Sequence, residues 1–419
     1  MDVPRVPQVQ SSPTPPALAI TAHTATTALG RGREAQARAL RDRRGGLRRN
    51  DFGDGLAGEQ RLDTWIGRVD GLEDTILPDA LMRWDCRNNR LAWLALQQDS
   101  MAERVDALRA RHRAERVALV LGTSTSSIGA TEEAYAHLVD DGRHFPPGLD
   151  QPIVHTPHSL GHFVQQMTGL RGPCITVATA CSSSAKVFAQ AARLINAGIA
   201  DAALVGGVDT LCGSVLFGFN SLGLVSAAPC RPFDALRDGL SLGEAGGYAI
   251  IERAQAGPSS NPPGLRLCGY GESSDAHHMS TPHPQGLGAQ LAMQAALARA
   301  GIDAGQVGYL NLHGTATPAN DAVEARAVAA LFPDTLHAGS TKGWTGHTLG
   351  AAGIVESVFA LIALEDGILP GTLNSEARDD ACGAQIRFDN ASSGNLRHAM
   401  NNSFGFGGIN AHAILEQAP

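Results

Sequence analysis

The residue best placed for covalent chemistry is Cys181, which follows a short β-branched run and precedes a helical pattern. The run Ile175 to Val177 is typical of a buried strand, and from Ser184 apolar residues recur at helical spacing to near Gly198. A thiol at a helix N-terminus meets unpaired amides and the positive end of the helix dipole, so we expect its pKa to fall. Most free cysteines are small buried hydrophobes, however, and this segment alone leaves both interpretations open.

Two histidines, His313 and His347, lie in glycine-rich turn sequences. A lone histidine in such a setting is more often a loop or core residue that forms an ordinary hydrogen bond. Beside a nucleophilic cysteine, however, one imidazole can accept a proton while another donates a hydrogen bond to a developing oxyanion. The three residues therefore predict thiol-based nucleophilic catalysis, provided that the fold brings them together.

The composition is that of a globular protein with two large units or one duplicated unit. The chain has 419 residues, and its net charge of −8 argues against general nucleic-acid binding. No stretch approaches the roughly 18 consecutive apolar residues of a membrane span, and residues 1–16 lack the apolar region of a signal peptide. The seven cysteines show no CxxC spacing, so reduced thiols and a cytoplasmic location are expected.

The order of strand, loop and helix patterns repeats along the chain. Three segments of the first part are matched by three of the second, namely 17–21 by 265–270, 117–121 by 307–312, and the region of Cys181 by 342–353. A Pro- and Gly-rich connector, 257–264, separates them. We therefore expect a loose tail at 1–16, an N-terminal half at 17–264 with the cysteine, and a C-terminal half at 265–417 with the histidines. Each half should contain a mixed, largely parallel sheet covered by helices, an α/β fold.

Five separated motifs resemble those of the β-ketoacyl-acyl-carrier-protein synthases. They are the segments 179–184, 230–246, 313–324, 342–353 and 402–408, in the order in which the family has them, and the resemblance covers almost the whole chain after the tail. The resemblance implies the thiolase fold, in which two duplicated halves form a five-layered α-β-α-β-α sandwich, usually in a dimer. It also implies an acyltransferase, a 3-oxoacyl-[acyl-carrier-protein] synthase of fatty-acid or polyene and polyketide biosynthesis.

The same resemblance implies roles for the three reactive residues. Cys181 would accept an acyl chain from the phosphopantetheine of an acyl carrier protein, while His313 and His347 would stabilise the enolate left when malonyl thioester loses its carboxylate. Condensation would then extend the chain by two carbons. No permanently bound cofactor is expected. No metal is expected either, because the histidines at 277, 278 and 283 complete no recognisable ligand spacing.

The remaining candidate residues are expected to support the catalytic histidines, to gate the entry of acyl chains or to bind substrate. Lys342 and Glu356 are expected to fix the geometry of the histidines, with an ordinary salt bridge at a helix end as the alternative. The amides of Cys181 and Phe404 are expected to form an oxyanion hole. The other candidates are Asp321 and Glu324 as supporting residues, Phe404 and Phe233 as a gate, Thr315 and Thr317 as hydroxyls for the phosphopantetheine arm, and Asn402 and Gly405 as substrate-binding residues. Plain packing is the alternative for the two phenylalanines, and backbone hydrogen bonding is the alternative for the threonines.

Two further features bear on specificity and partners. Segment 182–186, Ser-Ser-Ser-Ala-Lys, departs from the commonest family pattern and resembles specialised polyene or polyketide synthases. The arginine-rich stretches 31–49 and 104–116 are either solvated faces or a docking patch for an acidic carrier protein. A homodimer is expected, with a heterodimer of this chain and a related ketosynthase-like subunit as the alternative.

Two other functions are weighed against a condensing enzyme. A partner subunit that sets chain length would resemble the family but lack the cysteine. A thiolase or another coenzyme-A condensing enzyme would use a different catalytic set with a second cysteine. Cys181 with both histidines disfavours each of them.

Overall fold

The computed structural model describes residues 17–52, 61–145, 154–253 and 264–418. The predicted tail at 1–16 and the connector up to residue 263 lie outside these ranges. The strands are β1 Leu18–Thr27, β2 Gly30–Arg31, β3 Arg48–Arg49, β4 Trp65–Gly67, β5 Val117–Gly122, β6 Cys174–Val177, β7 Ala202–Asp209, β8 Leu242–Gly243, β9 Ala245–Arg253, β10 Gly264–Ser274, β11 Tyr309–Asn311, β12 His337–Gly339, β13 Ile368–Leu369, β14 Ala391–Ser392, β15 His398–Gly405 and β16 Ile409–Ala418.

The helices lie between these strands. They are α1 Arg33–Arg41, α2 Arg87–Leu96, α3 Met101–His112, α4 Ile128–Ala136, α5 Ser159–Thr168, α6 Ser183–Asn196, α7 Gly213–Ser221, α8 Leu287–Ala300, α9 Pro318–Leu331, α10 Lys342–Thr345 and α11 Ala352–Asp366. Short 3-10 turns occur at Asp79–Trp84, Ala114–Arg116, Ala304–Gln306 and Leu349–Ala351. The strand predicted before Cys181 and the helix predicted after it are thus confirmed as β6 and α6.

The main sheet consists of two five-stranded parts with the same pattern. Its order is β12-β11-β15-β16-β10 followed by β1-β9-β7-β5-β6, with β2 paired to β1. In the first part, β10 pairs antiparallel with β16 and β16 with β15, whereas β15 pairs parallel with β11 and β11 with β12. In the second part, β1 pairs antiparallel with β9 and β9 with β7, whereas β7 pairs parallel with β5 and β5 with β6. The expectation of largely parallel sheets is therefore wrong, because both parts are half antiparallel.

The repeated order supports the duplication that we propose for residues 17–264 and 265–417. β1, β9, β7, β5 and β6 correspond in sheet order and direction to β10, β16, β15, β11 and β12. The two parts form one continuous sheet because β1 pairs antiparallel with β10 at Leu18–Leu267 and Ala19–Arg266. Helix α6 follows the edge strand β6, and α10 and α11 follow the edge strand β12.

Helices cover the sheet parts in five layers. α2, α3 and α5 pack on the outer face of the N-terminal part, α6 and α11 lie between the two parts, and α8 packs on the outer face of the C-terminal part with α9 against it. Three apolar cores match these contacts. One joins α6 and α11 to both parts, and each of the other two fills one outer face. The largest of these cores surrounds the two central helices.

The central helices approach each other very closely. A Cβ at Gly353 of α11 would lie 2.3 Å from the backbone nitrogen of Ala185 in α6, so only glycine fits there. The hydroxyl of Ser184 in α6 accepts a hydrogen bond from the Ile354 amide of α11 at 2.9 Å. The helix after the cysteine and the helix after His347 are therefore locked together near their N-termini.

None of the helices in the described ranges combines the length and the apolar character that crossing a membrane would require.

Candidate active site

Cys181 lies on a tight turn between β6 and α6. The preceding residue, Ala180, has a φ of +51°, a left-handed conformation that costs energy for a residue with a side chain. Two serines hold the turn: Ser183 Oγ accepts from the Thr179 amide at 2.9 Å and donates to Ala180 O at 2.6 Å, and Ser182 Oγ donates to Thr179 O at 2.9 Å. The turn places the thiol just before the first residue of α6, as the sequence predicted.

The thiol of Cys181 contacts His347. The distance from Cys181 Sγ to His347 Nε2 is 3.0 Å, and both residues are buried. The backbone of His347 is held by the N-terminal half, because its amide donates to Ser241 O at 2.7 Å and its carbonyl accepts from the Gly243 amide at 2.9 Å. A histidine of the C-terminal half is thus anchored beside the cysteine of the N-terminal half.

His313 completes the group of reactive side chains. Its ring lies edge-on to that of His347, with centroids 5.4 Å apart and an interplanar angle of 88°. Lys342 Nζ lies 3.4 Å from His313 Nδ1 and donates to His313 O at 2.5 Å. Because an ammonium group only donates, Nδ1 must accept, and the ring proton of His313 then resides on Nε2.

Lys342 and Glu356 form a buried ion pair. The distance from Nζ to Glu356 Oε1 is 2.5 Å, and the two side chains are 2% and 4% exposed. Burial raises the pKa of Glu356 to about 7, against the opposing effect of Lys342. Glu356 lies in α11 and Lys342 in α10, so the pair links the two helices and sets the position of the ammonium group beside His313. The predicted pairing is confirmed in geometry.

Burial keeps both imidazoles neutral. It lowers the pKa of His313 and of His347 well below the usual 6.5, and the nearby charge of Lys342 lowers both further. A neutral imidazole with Nε2 protonated donates a hydrogen bond without introducing a net charge. The pair therefore suits the stabilisation of an oxyanion.

The expected fall in the pKa of Cys181 is not what the structure shows. Burial is the main cause that raises the pKa of this thiol to about 12, against the opposing charge of Lys342 and with a smaller contribution in the same direction from Asp209. The backbone amides of Cys181 and Phe406 act to lower the pKa. The desolvation of a fully buried thiol outweighs the helix N-terminus that the sequence argument relied on. The resting group is thus a neutral thiol in contact with a neutral imidazole.

Both histidines and the cysteine open into one cavity of about 410 Å³. One side of its lining is polar, with Thr315, Thr317 and Asn320 from the segment after His313. Another is apolar and is supplied by Phe219, Leu222, Leu224, Leu240 and Phe406. The reacting atoms of a thioester and a flexible polar chain attached to it fit such a lining.

The structure changes the assignment of the oxyanion hole and the gate. The amide that interacts with the Cys181 thiol, besides its own, belongs to Phe406 and not to the predicted Phe404. Phe406 is 37% exposed, lines the cavity and stacks on Phe219 at 5.6 Å. Phe404 also lines the cavity, but its ring packs between His313 and His412. β15 ends at Gly405, so Phe404 lies in the strand and Phe406 lies in the turn that follows, which the motif alone did not reveal.

Phe233 is fully buried and does not line the cavity. Its φ is +61°, and its amide donates to Asp321 Oδ2 at 2.8 Å. Its ring packs beneath the His313 turn, since a Cβ at Gly314 would lie 2.6 Å from Phe233 Cε2. The structure therefore favours packing, the alternative weighed for this residue, over a place in a gate.

The predicted supporting carboxylates hold the His313 turn from α9. Glu324 accepts from the His313 amide at 2.8 Å and the Gly314 amide at 2.7 Å, and burial raises its pKa to about 7. Asp321 is also fully buried, and burial raises its pKa to about 6. Asn402 bonds to Glu324 at 3.1 Å and to His412, not to the cavity, so its position is that of a second support and not of a substrate ligand.

Gly405 and the two threonines all line the cavity, and their part in substrate binding stays a prediction. Gly405 lines the cavity, and a Cβ there would lie 2.6 Å from Thr179 O in the cysteine turn. Thr315 and Thr317 line the cavity with their hydroxyls 2.8 Å apart. Glycine is therefore required at 405 for the close approach of the two turns.

The unusual segment after the cysteine faces away from the cavity. Ser182, Ser183 and Ser184 are fully buried in backbone hydrogen bonds, and Lys186 pairs with Glu272 at 3.2 Å. These residues shape the thiol turn and are absent from the lining of the cavity. Their effect on specificity would thus have to act through the turn.

The two arginine-rich stretches and the loop histidines lie outside the cavity lining. Many arginines of stretches 31–49 and 104–116 are already paired, such as Arg33 with Glu365 and Asp366 and Arg116 with Asp201. A carrier-protein patch there stays a prediction. His277 and His283 have rings in contact at 5.2 Å, and within the described ranges no group of three or more His, Cys, Asp or Glu residues could hold a metal ion.

Comparison with known proteins agrees with the motif resemblance. The chain matches the model of the beta-ketoacyl synthase N-terminal domain over residues 17–256 and that of the C-terminal domain over residues 266–376. It is 40% identical over 279 residues to the mitochondrial 3-oxoacyl-[acyl-carrier-protein] synthase of Arabidopsis thaliana, which covers 63% of this chain and 60% of that protein. It is 32% identical over 313 residues to 3-oxoacyl-[acyl-carrier-protein] synthase 2 of Staphylococcus aureus, covering 72% and 77%.

A solved structure aligns over nearly the whole chain. The ketosynthase (ApeO) in complex with its chain length factor (ApeC) from Xenorhabdus doucetiae matches with a TM-score of 0.84 and 33% identity, covering 98% of this chain and 100% of the matched one. Fold and matches together define a ketosynthase with the thiolase-like fold, mixed α/β with N-terminal and C-terminal domains. The chain belongs to the β-ketoacyl synthase family, as the motif resemblance indicated.

Proposed function

We propose that this protein accepts an acyl chain on Cys181 and condenses it with a malonyl group carried by acyl carrier protein. The protein is a 3-oxoacyl-[acyl-carrier-protein] synthase, a transferase. The observation that carries the assignment of residues is the 3.0 Å contact between Cys181 Sγ and His347 Nε2, in a cavity that His313 also lines.

Acyl transfer starts from the neutral thiol. Sγ loses its proton as it attacks the thioester carbonyl, and His347 Nε2 is within reach to accept that proton. The backbone amides of Cys181 and Phe406 stabilise the oxyanion that forms on the former carbonyl oxygen. The carbon–sulfur bond to the carrier's phosphopantetheine then breaks, its thiolate takes up the proton, and the acyl chain remains on Cys181.

Condensation uses the two neutral imidazoles. The malonyl thioester loses carbon dioxide, and the electron pair moves to the thioester oxygen as an enolate. The Nε2–H group of His313, whose tautomer Lys342 sets, donates to this oxygen, and His347 donates to it in the tautomer that carries the ring proton on Nε2. Burial strengthens these hydrogen bonds because water is excluded. The enolate carbon attacks the acyl carbonyl, the bond to Sγ breaks, and Sγ leaves as a thiolate that takes up a proton from solvent. A β-ketoacyl chain two carbons longer leaves on the carrier.

The polar side of the cavity suits the phosphopantetheine arm. Thr315 and Thr317 present hydroxyl groups directly after His313, and amide and hydroxyl groups of the arm can bond to them. The apolar side, with Phe219 and Phe406, suits the hydrocarbon next to the reacting carbonyl. The arm is brought by the substrate, so we propose that no resident cofactor takes part.

The proposal extends to the partners and the cellular setting of the protein. Acyl carrier protein is the proposed donor and acceptor. β6 ends the sheet among the described strands, and its four residues, Cys174–Val177, are only partly buried. An open β-branched edge favours pairing with another copy or with a related subunit, so we propose a homodimer, with a heterodimer as the alternative suggested by the ApeO complex. A cytoplasmic location and a polyene, polyketide or fatty-acid pathway complete the proposal.

The residue assignment is tested by condensation assays with acyl and malonyl carrier proteins. Cys181→Ala should abolish formation of the β-ketoacyl product. Cys212→Ala is the matched control, because Cys212 is also buried and directly precedes a helix but contacts no histidine in the described structure. Equal activity of the Cys181 variant and the control would refute the assignment.

A further inference from the structure

Asp209 is a fully buried carboxylate close to the site, and it belongs to none of the five sequence motifs. It ends β7 and has no exposed surface. Its oxygens accept from the hydroxyls of Thr123 at 2.5 Å, Ser124 at 2.7 Å and Thr125 at 2.8 Å. They also accept from the amides of Ser124 at 2.8 Å, Thr125 at 3.0 Å and Gly350 at 2.6 Å. All six donor groups are neutral, so the carboxylate is solvated by the protein in place of water.

The donors come from two separate turns. Residues 123–125 follow β5 in the N-terminal half, whereas Gly350 follows His347 in the C-terminal half. The Gly350 amide also lies 3.3 Å from Ser124 Oγ. The contact is tight, because a Cβ at Gly350 would lie 2.5 Å from Asp209 Oδ2. The 3-10 turn that begins at Leu349, with its left-handed φ of +57°, is therefore pinned to the N-terminal half.

We propose that Asp209 is a positioning residue that holds His347 against Cys181 by binding the turn that follows His347. This inference rests on the proposed function, because it assigns Asp209 to the same reaction. His347 is anchored to the N-terminal half in two ways. Its own backbone bonds to Ser241 and Gly243, and the turn that follows it bonds to Asp209 through the Gly350 amide. His313 is held differently, by Glu324 and Lys342 of the C-terminal half. Loss of Asp209 therefore moves one histidine and leaves the other in place.

The isosteric change Asp209→Asn tests this directly. An asparagine side chain replaces one carboxylate oxygen by an NH2 group, which can only donate. Since all partners of Asp209 are themselves donors, the hydrogen bonds to that oxygen are lost. A shift of about 1 Å in a catalytic group can cost on the order of a hundredfold in rate. We expect the kcat for malonyl decarboxylation to fall at least about tenfold, with little change in KM because Thr315 and Thr317 are untouched.

A spectroscopic readout separates positioning from general loss of structure. In histidine-labelled, full-length protein, the ring resonance that disappears in His347→Ala should shift in Asp209→Asn. The resonance that disappears in His313→Ala should stay. Equal shifts of both resonances, or no shift at the His347 resonance, would overturn the proposal. This readout needs no substrate, so it stands apart from a failure of the proposed reaction.

Two further variants keep the test decisive. If Asp209→Asn does not fold, Ser124→Ala removes one hydroxyl from the same carboxylate and should give the same selective shift at smaller size. Asp334→Asn is the control, because Asp334 is an exposed carboxylate on the C-terminal half that bonds to Gln385. It should change neither the resonances nor the kcat, and an effect equal to that of Asp209→Asn would count against a specific role.

Discussion

Removing the ammonium group of Lys342 should damage stability and catalysis by separable routes. Lys342→Met keeps most of the side-chain volume but leaves Glu356, 4% exposed, without its cation. Breaking a buried ion pair by removing one partner costs about 3–5 kcal/mol, because the remaining charge is uncompensated. A fraction of that cost is avoided if Glu356 becomes protonated, because burial raises the pKa of this carboxyl and the cation that opposes the rise is gone in the variant.

The double variant Lys342→Met with Glu356→Leu distinguishes the two routes. Replacing both partners by apolar residues is often neutral or stabilising, so most of the lost free energy of unfolding should return. Catalysis should not return, since no ammonium group then donates to His313 Nδ1 and the imidazole is free to adopt the other tautomer. Urea unfolding followed by fluorescence measures the first effect, and malonyl decarboxylation measures the second.

Two outcomes would refute this reasoning. If Lys342→Met is as stable as the unaltered protein, the buried pair is not the electrostatic unit that its geometry indicates. If the double variant regains both stability and decarboxylation, Lys342 has no part in orienting His313, and its contacts with the imidazole and carbonyl are incidental.

Three other perturbations follow from the structure. Alkylation of Cys181 by iodoacetamide, followed by peptide mass spectrometry, should rise roughly tenfold per pH unit from pH 7 to 9 without levelling off, because burial raises the thiol pKa to about 12; a plateau below pH 8 would contradict this. Gly405→Ala should abolish acyl transfer, because its Cβ would lie 2.6 Å from Thr179 O, whereas Gly394→Ala, with nothing within 4 Å, should be as active as the unaltered protein. Burial lowers the pKa of His412 to about 3, so the unfolded chain binds a proton that the folded one does not, and stability is lost as pH falls from about 6.5 towards 3. His412→Gln should flatten this loss by up to about 1.4 kcal/mol per pH unit in unfolding experiments, and identical pH profiles would argue against a neutral buried imidazole.

The sequence identified the reactive residues because each lies in a short, distinctive turn. Cys181 sits between a β-branched run and a helical pattern, and the glycines around His313 and His347 mark turns at strand ends. The duplicated order of elements then predicted that these turns meet. The strand directions were harder to predict, since β9 and β16 read as buried apolar runs whichever way they pair.

What the sequence could not supply depends on burial and on contacts between distant segments. The pKa of Cys181 follows from desolvation by the surrounding fold, which a helix-start argument does not include. Phe404 and Phe406 are two residues apart and of the same type, and only the backbone path of the turn shows which amide meets the thiol. Asp209 ends a strand like many aspartates, and its importance appears only when Gly350 is found against it. A carboxylate directly after the apolar, glycine-containing run 202–208 was the available signal.

The most direct test of the central claim is to locate the acyl group after one half-reaction. The protein is incubated with an acyl-acyl-carrier-protein thioester without malonyl donor, digested, and examined by mass spectrometry. The acyl mass should appear on the peptide that contains Cys181 and should be absent with an acyl-coenzyme-A donor of the same chain. An adduct on another residue, or none in a protein that still forms β-ketoacyl product, would contradict the account.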